Sequence, residues 1–218
     1  MTLFIASKNA HKIAEARKII SDLRPDLQIK SLLDVQNDIN VDEIGSSFLE
    51  NAFLKANVQI CGDMILGEDS GLCVDALNGL PGIYSARFHE LLDSEILAPF
   101  IKDKKAILRA IKDKEKEKDK DAKNRAILRE LLIQNDIKSS KAHFVSAGVL
   151  LSKTGEIKCF EAEGYLNGQI YPDERGDGGF GYDAQFAPDF SNLRLSEIAD
   201  KNAFSHRFLM LKELLCQI

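Results

Sequence analysis

The sequence predicts an α/β protein whose 218 residues fold as one compact domain. Short apolar runs of strand length alternate with helical patterns early in the chain, and two longer strand-like runs come later. Hydrophobic residues make up 44% of the chain and charged residues 29%, which suits a globular protein with a core. Neither an internal repeat nor a low-complexity linker divides the sequence, so we predict a single domain over residues 1–218.

The chain begins with a strand that leads into a helix. Leu3–Ala6 is a short apolar run. Apolar residues then recur at helical spacing at Ile13, Ala16, Ile19 and Ile20. Asn9 precedes this pattern and is a favourable N-cap residue. A second strand is predicted over Gln28–Leu33.

A second helix and a third strand are predicted next. Ser47 and Glu50 have the spacing of a capping box, so a helix should begin here and run to about Cys61. Met64–Leu66 indicates a strand that ends at the glycine- and acid-rich segment Gly67–Gly71.

The middle of the chain, His89–Gln134, has a helical pattern throughout. Within it, Lys112–Lys123 is a run of lysines and acids with almost no apolar content, which predicts a solvated helix or helix pair. The acids interleave the lysines, so a basic arm for nucleic acid is not expected. We expect Lys112–Asp121 to be dispensable for chemistry.

The last third combines strands, a glycine-rich loop and a final helix. Ala142–Leu151 and Ile157–Ile170 are predicted to form a hairpin around a turn at Thr154 and Gly155. The loop Gly176–Gly181 follows, and Ser205 is expected to cap a helix over Phe208–Leu215.

Composition excludes several classes of protein. The net charge of -5 argues against a polynucleotide-binding protein. The four cysteines, Cys61, Cys73, Cys159 and Cys216, have no zinc-ligand spacing and are expected to be reduced thiols. Met1–Ala6 is too short for the apolar part of a signal peptide, and no run approaches a membrane span, so we expect a cytoplasmic protein.

Two segments have the chemistry of a phosphate and metal site. Ser7–Lys12 lies where a strand passes into a helix, and helix N-termini attract phosphate, although most such turns bind nothing. Glu68 and Asp69 at a strand end suit Mg²⁺, which prefers oxygen ligands, but this segment alone slightly favours a surface turn. Glu43 could add a ligand. Lys55 could be solvated or could face a phosphate.

The segment Asp177–Asp183 surrounds Phe180 with glycines. It could bring backbone close to a ligand under a stacking ring, or equally form a bulged hairpin. Lys201, His206 and Arg207 lie near a helix start, where they could pair locally or donate to a keto oxygen. A Ser205–His206 nucleophile pair is not expected, because adjacent residues at a helix start do not face each other.

Together these segments resemble the inosine triphosphate pyrophosphatase family, and the match runs nearly end to end. The matching segments, in chain order, are Ser7–Lys12, Ser47–Ala52 with Lys55, Glu68–Leu72, Gly79–Arg87, Gly178–Asp183 and Ser205–Arg207. The resemblance implies hydrolysis of ITP, dITP and XTP to the monophosphate and pyrophosphate with Mg²⁺. It also implies a homodimer with an elongated mixed β-sheet flanked by helices, and two lobes with the nucleotide cleft between them.

The resemblance assigns a role to each matching residue. Asp69 corresponds to the proton acceptor, and the metal ligands are Glu43, Glu68 and Asp69. The substrate-binding residues on the phosphate side are Ser7, Lys8, Asn9, Ala10, His11, Lys12, Lys55 and Ser70. Those on the base side are Phe180, Gly181, Tyr182, Asp183, Lys201, His206 and Arg207.

The sequence departs from the family pattern at two places. Lys8 stands where the family has a glycine, and a charged helical insertion covers about residues 89–124. Two other functions stay open: a Maf-type pyrophosphatase acting on modified pyrimidines, and a non-catalytic nucleotide sensor. The acids Glu43, Glu68 and Asp69 disfavour the sensor.

Overall fold

The structure is a computed structural model that describes residues 1–35, 39–60, 62–114, 119–152 and 157–218. Within these residues, the strands are β1 Thr2–Ile5, β2 Gln28–Ser31, β3 Met64–Val74, β4 Ser140–Ser152, β5 Lys158–Ile170 and β6 Phe186–Pro188. The α-helices are α1 Ala10–Leu23, α2 Phe48–Ala56, α3 Lys104–Lys114, α4 Lys120–Gln134 and α5 His206–Leu215. No described helix combines the length and the apolar character that crossing a membrane requires.

The strands form a mixed sheet in the order β2-β1-β3-β4-β5-β6. β1 pairs in parallel with β2 and with β3, whereas β5 pairs antiparallel with β6. Contacts divide the chain into two compact units. The first contains Met1–Ser70, Val145–Leu166 and Asn202–Ile218, and the second contains Gly71–Phe144 and Asn167–Lys201. The single domain over residues 1–218 stays a prediction.

In the first unit, helices cover both faces of the sheet. Leu66 and Leu150 pack with the apolar faces of α1 and α5, while the neighbouring Val149 packs with α2. The predicted apolar face of α1 is confirmed, because its buried residues are Ile13, Ala16, Ile19 and Ile20. Two of the predicted caps are also confirmed here: Asn9 accepts a hydrogen bond from the Lys12 N–H, and Ser47 accepts one from the Glu50 N–H.

In the second unit, α3 and α4 pack against each other, and α4 also contacts the 3₁₀ segment Gly82–Leu91. The helical pattern predicted throughout His89–Gln134 is therefore divided among separate helical elements, and α3 begins only at Lys104. Pro99 lies in a separate 3₁₀ turn, Ala98–Phe100, since proline fits the start of a helical turn but not its interior. Part of the charged run lies outside the described residues, and the whole predicted turn at Thr154 and Gly155 does too.

The prediction that the third strand ends before Gly67 is wrong, because β3 continues to Val74. Gly67 lies against α2: a Cβ there would be 2.0 Å from the carbonyl oxygen of Ala52 and 2.4 Å from the nitrogen of Ala56. Glycine at this position thus reflects close packing of strand on helix rather than a turn.

This close approach gives a testable consequence for stability. We expect Gly67→Ala to lower the free energy of unfolding by about 1–3 kcal/mol or more, because the methyl group meets backbone atoms that cannot rotate away. Gly62→Ala is the matched control, since a Cβ there would lie 3.4 Å from its nearest neighbour. Urea denaturation measures both variants. Equal stability of the two would show that α2 is not fixed against β3.

Candidate active site

The charged part of β3 divides its side chains between the two faces of the sheet. Side chains alternate along a strand, and Leu66 packs with α1 and α5, whereas Gly67 lies against α2. Glu68 therefore faces α1 and α5, and Asp69 faces α2. Their contacts agree with this alternation, so the two neighbouring acids belong to two different clusters.

The first cluster is centred on Lys55 of α2. Its ammonium nitrogen lies 2.8 Å from an oxygen of Glu43 and 2.8 Å from Oδ1 of Asp69. Asn51, one turn earlier on α2, donates from Nδ2 to the other oxygen of Asp69 at 3.3 Å. Both oxygens of Asp69 are thus held by α2. We call Lys55, Glu43, Asp69 and Asn51 the Lys55 cluster.

The second cluster is centred on Glu68. Its Oε1 accepts from a guanidinium nitrogen of Arg207 at 2.9 Å and from the Ser146 hydroxyl at 2.8 Å. The Lys12 ammonium lies 3.7 Å from Oε2. Arg207 also pairs with Glu15 of α1 and donates to the Ser70 hydroxyl at 3.1 Å. These six residues form the Glu68 cluster.

The position of Arg207 at the start of α5 explains why its side chain reaches Glu68. Ser205 caps the helix by accepting from the Phe208 N–H at 3.1 Å, so His206 and Arg207 occupy its first turn. This turn lies close to β5, because a Cβ at Gly164 would be 2.1 Å from the carbonyl oxygen of His206. Both His206 and Arg207 are buried. The guanidinium thus bonds two carboxylates and the Ser70 hydroxyl, and its predicted contact with a base stays a prediction.

Burial and charge oppose each other in these clusters. Burial alone raises the pKa of Glu68, but Arg207 and Lys12 outweigh it and hold that pKa far below its usual value. Burial tends to lower the pKa of Lys55, yet Asp69 and Glu43 raise it overall. For Lys12, burial prevails over the attraction of Glu68, and its pKa is lowered. Lys12 thus differs from Lys55 and Arg207, whose pKa values are raised by neighbouring carboxylates.

The loop Ser7–Lys12 lies beside these clusters at the start of α1. The Asn9 side chain caps the helix, and the Asn9 N–H donates to the Ser7 hydroxyl at 3.2 Å. Lys8 does not need the conformational freedom of the family glycine, because the described non-glycine residues with positive φ are Asn78 and Asp136. The exposed residues of this loop are Lys8, Asn9, Ala10 and His11.

In the second unit, Asp183 organises the glycine-rich loop. Its Oδ2 accepts from the Phe180 N–H at 3.0 Å and from the Lys201 ammonium at 2.6 Å. The Lys201 nitrogen lies 4.5 Å from the centre of the Phe180 ring. Gly179 has a φ of +75°, and a Cβ there would lie 2.3 Å from the Asp183 carboxylate. The structure thus brings together three of the residues predicted to recognise the base: Phe180, Asp183 and Lys201.

Two other predicted residues of this loop, Gly181 and Tyr182, form hydrogen bonds with other segments of the second unit. Tyr182 is buried, and its hydroxyl donates to the Ser85 carbonyl at 2.9 Å. The Gly181 N–H donates to the Asp121 carboxylate at 2.9 Å. Asp121 lies near the end of the charged run, so this contact corrects the prediction that the whole run is solvated.

The two clusters and the glycine-rich loop contain residues that the resemblance assigns to a nucleotide site. The model of the Ham1 family matches residues 3–217. The chain belongs to the Ham1 family. The resemblance seen in the sequence is thereby confirmed.

Two curated relatives of this Ham1 chain are dITP/XTP pyrophosphatases. The dITP/XTP pyrophosphatase of Campylobacter jejuni subsp. jejuni is 31% identical, over 97% of this chain and 94% of its own length. The dITP/XTP pyrophosphatase of Exiguobacterium sibiricum is 35% identical, over 98% of this chain and 95% of its own.

Solved structures of Ham1 proteins confirm the predicted α/β class with a mixed sheet and flanking helices. The Staphylococcus aureus Ham1 protein has a TM-score of 0.70 and 28% identity, and the match covers 100% of this chain and 97% of that one. A HAM1 protein from Coxiella burnetii has a TM-score of 0.73 and 26% identity, with 100% of both chains covered.

The predicted metal ligands do not converge as one set. Across residues 1–35, 39–60, 62–114, 119–152 and 157–218, no three His, Cys, Asp or Glu side chains form a group that could hold a metal ion. Glu68 lies in a different cluster from Glu43 and Asp69 because of the strand alternation. However, Mg²⁺ often takes only one or two protein carboxylates, with water and phosphate oxygens completing its shell. The pair Glu43 and Asp69, which shares a single ammonium, fits that requirement.

Sequence reasoning missed several residues of the site. Glu15 could have been found, since it lies three residues after Lys12 and such positions share a helix face. Asn51 was part of a matching segment but was given no role. Ser146 carried no signal, because a serine inside an apolar strand shows no partner in the sequence. Arg125 bonds the glycine-rich loop, but no sequence pattern indicated that contact.

Proposed function

We propose that this chain hydrolyses non-standard purine nucleoside triphosphates, among them dITP, XTP and ITP, to the monophosphate and pyrophosphate. Membership of the Ham1 family over residues 3–217 carries this proposal, since the full-length relatives are dITP/XTP pyrophosphatases. The buried carboxylates on β3 and the half-buried lysines on α1 and α2 support it chemically. A Maf-type activity on modified pyrimidines is not favoured by these relatives, nor is a non-catalytic sensor.

In the proposed mechanism, the N-terminus of α1 with Lys12 and Lys55 binds the triphosphate. Helix N–H groups and ammonium groups stabilise the charge on the phosphate oxygens. Asp69 accepts the proton of the water that attacks the α-phosphorus. Lys55 and Asn51 hold both oxygens of Asp69, so the carboxylate is oriented before substrate arrives.

Charge supports a requirement for Mg²⁺. The two clusters combine three cations with four carboxylates: Lys12, Lys55 and Arg207 with Glu15, Glu43, Glu68 and Asp69. A triphosphate adds further negative charge, so binding without a divalent cation would be unfavourable. Glu43 and Asp69 would hold Mg²⁺. When bound, the ion neutralises phosphate charge and stabilises the leaving pyrophosphate.

For the base, we propose stacking on Phe180 and donation from Lys201 to a keto oxygen. Hypoxanthine and xanthine carry a keto acceptor at C6, where adenine carries an amino donor. The Asp183 carboxylate keeps the Lys201 ammonium over one face of the Phe180 ring, next to the place proposed for the base. An amino group would leave the donor unsatisfied, which costs about 1–3 kcal/mol for a buried group.

A nucleotide panel tests the function. Purified protein is incubated with XTP, dITP, ITP, ATP, GTP and a modified pyrimidine triphosphate, with Mg²⁺ or with a chelator. We expect monophosphate and pyrophosphate from the first three, strongly reduced turnover of ATP, which lacks the keto oxygen, and no activity with chelator. Release of single phosphate, or preference for the pyrimidine, would overturn the proposal.

We also propose a cytoplasmic homodimer, which analytical ultracentrifugation and cell fractionation can test.

A further inference from the structure

One glycine of the Phe180 loop has both of its backbone groups bound by a neighbouring helix. The Gly181 N–H donates to Oδ2 of Asp121 at 2.9 Å, and the Gly181 carbonyl accepts from a guanidinium nitrogen of Arg125 at 2.9 Å. Asp121 and Arg125 are four residues apart on α4, so they lie on one face of the helix, one turn apart. The helix thus fixes the peptide planes on both sides of Gly181.

Gly181 is a position at which the loop needs such support. Its φ is +61°, and a Cβ there would meet nothing within 4 Å. Glycine is therefore required by its backbone conformation and not by lack of space, and without external bonds it would sample many others. Its neighbours are Phe180, whose N–H bonds Asp183, and Tyr182, whose hydroxyl bonds Ser85.

Arg125 is itself held in place. Its Nε donates to Glu174 at 2.9 Å, and another of its nitrogens lies 3.9 Å from Asp119. Asp119 caps α4 by accepting from the Asp121 N–H at 2.9 Å. The Arg125 side chain is only 16% exposed. Asp119, Asp121 and Arg125 therefore form a preorganised support for the loop.

We propose that Asp121 and Arg125 are positioning residues that fix the Phe180 loop in the conformation that receives the purine base. They act through Gly181 and make no contact with substrate. This inference rests on the proposed function, since it assigns the loop to base recognition. It also gives the end of the charged run a role in substrate selection.

Kinetics of variants test the proposal. Arg125→Met and Asp121→Ala should each raise KM for XTP about 10- to 100-fold, because each removes a hydrogen bond between the loop and a charged group. The value of kcat should change less than about threefold. The ratio of kcat/KM for XTP over ATP should fall. Asp121→Asn, which keeps an acceptor oxygen, should recover most of the loss. Asp113→Ala is the control, because Asp113 is an exposed acid at the other end of the same run.

A second readout does not depend on activity. The chain has no tryptophan, so Phe180→Trp introduces a single fluorophore into the loop. Adding Arg125→Met should increase its quenching by acrylamide, whereas adding Asp113→Ala should not. Lower stability with unchanged KM and unchanged quenching would overturn the positioning role. Increased quenching in a protein that hydrolyses no purine triphosphate would support the loop's dependence on α4 and reject the proposed function alone.

Discussion

Asp69→Asn is expected to lower kcat for XTP by about 10²- to 10⁴-fold, while KM changes by only a few-fold. The amide keeps the shape of the carboxylate but cannot accept a proton or contribute a full charge to Mg²⁺. Glu43 still pairs with Lys55, so the local structure should persist. Steady-state pyrophosphate release at saturating Mg²⁺ measures kcat, and calorimetry measures nucleotide binding.

The matched control for this variant is Asp22→Asn. Asp22 is an exposed aspartate on α1, so its loss should leave kcat unchanged. If Asp69→Asn retained kcat within about threefold of the wild-type value, Asp69 would not be the proton acceptor.

Arg207→Met is expected to lower the free energy of unfolding by about 3–5 kcal/mol, because it leaves two carboxylates without their main cation. The Arg207 side chain is 1% exposed, and those of Glu68 and Glu15 are 7% and 12% exposed. Methionine fills similar volume, so the loss comes from charge and hydrogen bonding rather than from a cavity. Urea denaturation at pH 7 measures the difference.

Arg175→Met is the control for an exposed pair. Arg175 and its partner Asp173 are more than half exposed, at 57% and 54%, so this change should cost less than about 1 kcal/mol. An equal effect of the two substitutions would mean that the Glu68 cluster contributes no more than a surface ion pair. Loss of the XTP-over-ATP preference in Arg207→Met, without loss of stability, would instead restore its predicted contact with the base.

The cost of Arg207→Met should also depend on pH. Arg207 and Lys12 depress the pKa of Glu68 in the folded protein. Such a carboxylate stabilises the fold above the unfolded-state pKa, about 4.3, and this contribution is lost as the pH falls toward the folded value. The stability difference between wild type and variant should therefore be smaller at pH 3.5 than at pH 7. The same difference at both pH values would show that Glu68 is not the group responsible.

Local patterns in the sequence predicted the N-terminal part of the fold well. The apolar spacing of Ile13, Ala16, Ile19 and Ile20 determines which face of α1 is buried, and Asn9 and Ser47 cap their helices as predicted. These features depend on residues within one or two turns of each other. The motifs also predicted the family, because their order and spacing are properties of the chain itself.

The tertiary structure decided the features that depend on distant residues. Gly67 looked like the end of a strand, but α2 packs on it and β3 continues. Arg207 bonds Glu68 and Glu15, which are 139 and 192 residues away in the sequence. Asp121 bonds Gly181, which is 60 residues away. A sequence shows which side chains carry charge but not which charges meet. The sequence by itself therefore determined the helix faces, the caps and the family. Only packing decided that Glu68 and Asp69, adjacent in sequence, face opposite sides of one strand and bind different cations.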